Sequence, residues 1–140
     1  MTRRLLALLA LVLTITSCKK GFQPIEYNKD ACAHCKMTIV DDRYAAELVT
    51  RKGRAFKFDD VVCMKQYLKE QDPEGESLFF VEDYLRTRGE PIDATKALYL
   101  KHEFFASPMN GDYAAFADQA EARGLMDSLK VPPLRWENLN

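Results

Sequence analysis

The sequence has no large excess of charge of either sign, and this limits its range of partners. Its 140 residues carry a formal net charge of -1. Because there is no basic field to attract a phosphate backbone, nucleic acid is not an expected partner. The sequence also shows no Ser-His-Asp set, no paired catalytic carboxylates and no phosphate-binding loop. Hydrolases and kinases are therefore not supported, and we do not expect an enzyme.

Long hydrophobic runs are also scarce, since the only one lies at the N-terminus. Leu5 to Ile15 follow a basic start and come shortly before Cys18. This run is too short for a comfortable transmembrane helix and is typical of a signal peptide. We predict a lipoprotein signal peptide over residues 1–17, with Cys18 as the lipidated first residue of the mature chain. Ordinary secretion, in which Cys18 is incidental, is the alternative.

Lipidation would place the protein in the cell envelope, anchored to a membrane and facing the periplasm. Acyl chains on Cys18 anchor a protein to a membrane without spanning it. Lys19, rather than an aspartate, follows the cysteine and favours the outer membrane. Residues 18–31 contain Gly21 and Pro24 without periodicity, and we expect them to form a tether.

Cysteine is scarce as well, and its count is informative. Of the four cysteines, Cys18 is assigned to the lipid, which leaves Cys32, Cys35 and Cys63. An odd number leaves at least one thiol unpaired. Exported proteins that keep free thiols commonly use them for metal or redox chemistry.

The densest chemistry lies in the stretch from Cys32 to Met37. Two thiols, the imidazole of His34 and a thioether fall within six residues, and thiolate with thioether favours Cu(I). Cys32 and Cys35 could instead form a redox dithiol or a static disulfide. A redox Cys-X-X-Cys opens a helix after a strand, whereas this one precedes a predicted strand. Met37 favours metal, because a disulfide has no use for a thioether. His34 is either a ligand or a solvated surface residue.

Three further residues are weaker candidates for the metal site. Met109 lies in a predicted turn rather than on an apolar helix face, so it is either a soft ligand from the second half or a surface loop residue. His102 begins the same loop and ranks lower as a ligand. Cys63 lies near the start of a predicted helix and is most simply a small buried hydrophobe, with a metal role as the lesser alternative.

The predicted elements repeat in the order strand, strand, helix, strand. The first copy has strands at 43–50, 54–58 and 78–81, with a helix capped by Asp59-Asp60. The second has strands at 97–100, 112–116 and 134–136, with a helix opened by Asp118 and Glu121. We therefore predict an α+β domain over 32–140, built of two small ββαβ-type lobes with short antiparallel sheets. The lobes cover about 32–95 and 96–140 and share one core.

The order of these features resembles the nitrous-oxide reductase accessory lipoproteins, the NosL family. The matching features are a lipoprotein signal, Cys32-X-X-Cys35-X-Met37, Phe58-Asp59-Asp60 before a helix, and Ser107-Pro108-Met109 followed by Ala115-Phe116. Asn110 stands where a glycine is expected, and asparagine tolerates the same left-handed turn. The resemblance implies two ββαβ-type lobes and a metal site at Cys32, Cys35, Met37 and Met109.

Two functions remain open at this point. The resemblance implies a lipid-anchored Cu(I) metallochaperone that delivers copper for the assembly of nitrous-oxide reductase, in denitrification, or of a related envelope copper enzyme. The alternative is an envelope thiol-disulfide oxidoreductase that uses Cys32 and Cys35. That enzyme would need its Cys-X-X-Cys at a helix N-terminus with a lowered thiol pKa.

Overall fold

The computed structural model describes residues 21–71, 77–86 and 90–140. The predicted signal peptide at 1–17 and the lipidation site Cys18 lie outside the described residues. Among the helices of the described part, none has both the length and the apolar character that a membrane span requires.

The first lobe is built on a four-stranded antiparallel sheet. Its strands are β1 (Ala46–Thr50), β2 (Ala55–Phe58), β3 (Ser77–Val81) and β4 (Ile92–Asp93). They are arranged in the order β2-β1-β3-β4. Leu48 of β1 pairs with Phe56 on one side and with Phe79 on the other, so these three side chains share a face. Glu47 points to the opposite face, because side chains alternate along a strand.

Helix α1 (Val61–Gln71) packs on the face that carries Leu48. The ring of Tyr67 lies 5.2 Å from that of Phe56 and 5.3 Å from that of Phe58. The helix begins where the sequence predicted, because the side chain of Asp60 accepts a hydrogen bond from the backbone of Cys63 at 3.0 Å. Such a bond satisfies one of the free N–H groups of the first turn.

The N-terminal segment covers the opposite face of the sheet. The Phe22 ring lies 5.7 Å from that of Phe80, and the Gln23 N–H donates to the Glu47 carboxylate at 2.7 Å. Ile25 is buried in the core. The expectation that 18–31 acts mainly as a tether therefore does not describe residues from 21 onward, because their apolar side chains find a sheet face on which to pack.

The second lobe repeats the pattern on a smaller scale. Strands β5 (Leu98–Lys101) and β6 (Tyr113–Phe116) form an antiparallel pair, followed by helix α2 (Gln119–Leu129). Asp118 caps α2 by accepting the Glu121 N–H at 3.0 Å. The strand predicted at 134–136 is reduced to a bridge between Tyr99 and Leu134, followed by a 3₁₀ turn at Trp136–Asn138.

The predicted α+β fold of two ββαβ-type lobes is confirmed, with a bridge as the last strand of the second lobe. The larger core cluster combines residues of both lobes, among them Leu48 and Phe58 with Tyr99 and Tyr113. A smaller cluster lies mainly in the second lobe, around Phe105, and takes in Tyr44 and Tyr84 from the first. The lobes thus share most of one core.

Candidate metal centre

Three cysteine sulfurs lie together at the start of the first lobe. The Sγ atoms of Cys32, Cys35 and Cys63 are all within 4.8 Å of one another, and none of the three cysteines forms a disulfide. Two sulfurs bound to one ion at about 2.3 Å can be at most about 4.6 Å apart. The spacing of the group therefore matches a single thiophilic ion to within small side-chain movements.

A tight turn holds the first two of these cysteines. The Cys32 N–H donates to the Met37 carbonyl at 2.8 Å, and the Lys36 N–H donates to the Cys32 carbonyl at 3.1 Å. Lys36 has a φ of 66° to close this turn. The Ala33 N–H donates to the Lys57 carbonyl at 2.8 Å, which fastens the turn to the end of β2. The cysteines are thus fixed by backbone bonds rather than by a helix.

The third cysteine reaches the group from α1. Cys63 is the third residue of that helix, and its N–H is bound by the cap Asp60. Cys32 and Cys63 are both 0% exposed, whereas Cys35 is partly exposed. The positive end of the α1 dipole lies beside the group and favours a negative charge among its three sulfurs.

Hydrogen bonding and burial together leave one of the three thiols with a lowered pKa and the other two with a raised pKa. A hydrogen bond from the Cys63 thiol lowers the pKa of Cys32 to about 5, against the effect of burial and with help from backbone N–H groups. The same bond raises the pKa of Cys63, and burial raises it further. Burial raises the pKa of Cys35. The shared hydrogen bond therefore favours a thiolate on Cys32 over one on Cys63.

Met109 also approaches this region, through its loop. It packs against the core cluster that contains Cys32 and Cys63. Its N–H donates to the Asp60 carboxylate at 3.0 Å. The same carboxylate caps the helix that carries Cys63, so one side chain joins the Met109 loop to the thiol group.

The remaining candidates are arranged differently. Met37 belongs to the same turn as Cys32, but it is 57% exposed. The Nδ1 atom of His34 lies 3.5 Å from a carboxylate oxygen of Glu70, near the end of α1. His102 accepts the Phe104 N–H on Nδ1 at 3.0 Å and so caps a 3₁₀ turn. Within the described ranges, neither histidine joins the three-cysteine group.

Cys63 satisfies both of the roles that the sequence left open for it. It is buried, as the favoured packing role requires, and its sulfur also lies with those of Cys32 and Cys35. A signal was present, because Asp60 precedes Cys63 by three residues and so predicts its place in the first turn of α1. What the sequence did not indicate is that the Cys32 turn would fold onto this helix end.

Comparison with known proteins supports both the fold and the family. The sequence model of the NosL family matches residues 24–137. Among solved structures, the fold is similar to that of the copper chaperone NosL from Shewanella denitrificans, with a TM-score of 0.70 and 17% sequence identity. That match covers 86% of this chain and 96% of the other chain. No curated protein sequence matches.

Proposed function

Because this chain belongs to the NosL family, we propose that it is a copper chaperone which carries one Cu(I) ion as cargo on its three-cysteine group. The observation that carries the proposal is the meeting of three unpaired sulfurs within 4.8 Å. Cu(I) is satisfied by two or three soft ligands, whereas a structural zinc site usually requires four nitrogen or sulfur ligands.

The ligand set we propose has a rigid part and an adaptable part. Cys32 and Cys63 are fully buried and supply thiolates that are held by the fold. Cys35 is partly exposed and Met37 is 57% exposed, so both can meet an incoming donor or acceptor. Met109 supplies a thioether from the second lobe. Mixed thiolate and thioether ligands at the surface permit release by ligand exchange.

The oxidoreductase alternative fits the geometry less well. Disulfide exchange requires a thiolate that can reach the sulfur of a partner. The thiol with the lowered pKa is Cys32, at about 5, but it is 0% exposed. The more accessible thiol is Cys35, whose pKa is raised. Acidity and access are thus separated onto different residues, which favours metal binding over exchange.

The anchor and the recipient are part of the same proposal. A lipid on Cys18 would attach the chain to a membrane, with the outer membrane favoured, and the domain would face the periplasm. Because Phe22 packs on the sheet, a lipid on Cys18 would leave only a short spacer between the lipid and the domain. The proposed recipient is nitrous-oxide reductase or a related envelope copper enzyme.

Anaerobic titration of the purified protein with Cu(I), followed by native mass spectrometry, tests the function. One tightly held copper ion per chain is expected, and zinc at equal concentration should leave it in place. A protein that takes up no copper against a Cu(I) chelator, or that exchanges copper for zinc at equal concentration, would contradict the proposal.

A further inference from the structure

We propose that Asp60 is a positioning residue for the copper site, because it holds the Met109 loop against the helix end that carries Cys63. The inference rests on the proposed copper function and deepens it. Asp60 would then have a second role besides capping α1. Its hydrogen bonds would hold Met109 of the second lobe close to the three thiols.

Each oxygen of the Asp60 carboxylate faces a different lobe. One oxygen accepts the Cys63 N–H at 3.0 Å, within the first lobe. The other accepts the Ser107 hydroxyl at 3.1 Å and the Met109 N–H at 3.0 Å, from the second lobe. Asp60 itself is 1% exposed. These three hydrogen bonds therefore form inside the protein, where losing one leaves a polar group without solvent to replace it.

The chemistry of the side chain explains why an aspartate is suited to this position. Asparagine caps a helix about as well as aspartate does and carries no charge to bury. Asparagine, however, has one accepting oxygen, and its second group is a donor. It can accept from the helix or from the loop, but not from both. A buried carboxylate therefore has an advantage only if both sets of bonds are needed.

The Met109 loop is shaped to meet the helix at this point. The Ser107 hydroxyl oxygen accepts the Asp112 N–H at 2.9 Å, which closes the loop on itself. At Gly111, an added Cβ would lie 2.2 Å from a methyl carbon of Val62 in the first turn of α1. Only glycine permits this close approach. Backbone contact and hydrogen bonds thus fix the same loop to the same helix end.

The test is a double-mutant cycle between Asp60→Asn and Met109→Leu, read as Cu(I) affinity against a chelator. Asparagine keeps the helix cap and removes acceptor capacity for the loop. We expect Asp60→Asn to weaken Cu(I) binding about tenfold, a loss typical of removing a partner that orients a metal ligand. Met109→Leu should cause a similar loss. The double variant should bind no more weakly than either single variant, because both changes remove the same thioether.

A second readout follows Met109 directly. In protein labelled with ¹³C at the methionine methyl groups, Cu(I) should shift the Met109 resonance of the parent and leave it nearly unmoved in Asp60→Asn. The matched control is Asp118→Asn, which changes the same cap on α2, where the side chain binds the Glu121 N–H of its own helix. Asp118→Asn should leave both the affinity and the Met109 shift unchanged.

The outcomes separate this inference from the proposed function. If the parent holds no Cu(I), both are wrong. If the parent holds Cu(I) but the losses of the two single variants add in full, Asp60 acts through the helix and the inference is overturned. Should Asp60→Asn fail to fold, Ser107→Ala replaces it in the cycle, because it removes the hydroxyl that donates to Asp60, together with the bond from the Asp112 N–H, and leaves the helix cap intact. Full additivity of Ser107→Ala with Met109→Leu would overturn the inference as well.

Discussion

In the first lobe, four strands lie behind the helix, whereas the second lobe has two strands and a bridge. The cysteines follow this difference, since Cys32, Cys35 and Cys63 all belong to the first lobe. The second lobe contributes the Met109 loop. The larger sheet can bury two thiols completely and fix a third at the surface. Similar strand and helix orders therefore serve different tasks, one as a rigid base for thiols and the other as support for a loop.

The two helix starts show the same contrast. Each is capped by an aspartate that accepts the N–H of the third helical residue. Asp60 is buried and also binds the neighbouring lobe. Asp118 is exposed, and its bond stays within its own helix. A local sequence signal thus predicts the cap in both lobes but cannot tell which cap also joins the lobes.

The largest effect is expected when thiols are removed from the first lobe. Replacing Cys32 and Cys35 together with serine should weaken Cu(I) binding by at least about a thousandfold, or ~4 kcal/mol, because only one thiolate ligand remains. Competition against a chelator measures this. The matched change in the second lobe is His102→Ala, which should leave copper affinity unchanged. A double cysteine variant that binds Cu(I) as tightly as the parent would contradict the claim that the first lobe supplies the main copper ligands.

A buried carboxyl group in the first lobe should make its stability depend on pH. Glu47 is 0% exposed, and burial raises its pKa to about 7, despite its bond from Gln23 and the nearby Lys57, while Asp30 and Glu82 raise it further. The folded state therefore holds a proton that the unfolded state loses near its ordinary pKa of 4.5. Stability should fall as pH rises from about 4.5 to about 7 and level off above.

Glu47→Gln isolates this effect, because the amide stays neutral and its oxygen can still accept the Gln23 N–H. The variant should match the parent near pH 4 and exceed it at pH 8 by up to about 3 kcal/mol in urea unfolding. In the second lobe, Glu121→Gln serves as the control and should give no such gain, because that carboxylate is paired with Arg86. Equal stability of Glu47→Gln and the parent at pH 8 would show that burying the charged Glu47 carboxylate does not lower the free energy of unfolding.

Copper affinity should fall as the pH is lowered, and the steepness of the fall should give the number of thiols that lose a proton on binding. Because the pKa of Cys32 is lowered and those of Cys35 and Cys63 are raised, we expect the metal-free group to hold one thiolate near neutral pH. Binding through three thiolates then releases two protons, so the affinity should drop about 100-fold for each unit by which the pH is lowered. A site that uses only two of the thiolates should lose about tenfold in affinity for the same change in pH. Calorimetry in buffers of different ionisation enthalpy measures the release, and uptake without any proton release would contradict the assignment.

The smallest effect is expected at the exposed thioether. Met37→Leu conserves volume at a side chain that is 57% exposed, so stability should change by less than about 1 kcal/mol. Copper affinity should fall by less than about tenfold, because three thiolates remain. A loss of copper affinity as large as that of the double cysteine variant would show that the exposed Met37 thioether is the main ligand instead.

Much of the fold was predictable because its signals are local. The alternation at 54–58 predicted β2, and the aspartates at 59–60 and 118 predicted both helix starts. The packing of Phe22 on Phe80 of the sheet and the position of Cys63 beside Cys32 and Cys35 were not predictable in this way. Both depend on contacts between distant parts of the chain, such as the bond from Ala33 to Lys57. The same limit applies to Asp60, whose bonds to Ser107 and Met109 join residues far apart in sequence.

Copper X-ray absorption of the Cu(I)-loaded protein, compared between the parent and Cys63→Ser, tests the three-cysteine site most directly. Serine is close in size to cysteine, so the helix start should keep its geometry. The account predicts a first shell of sulfur alone in the parent, with one fewer sulfur in Cys63→Ser. Nitrogen ligands in the parent, or a first shell that Cys63→Ser leaves unchanged, would contradict the claim that these three cysteines hold the copper.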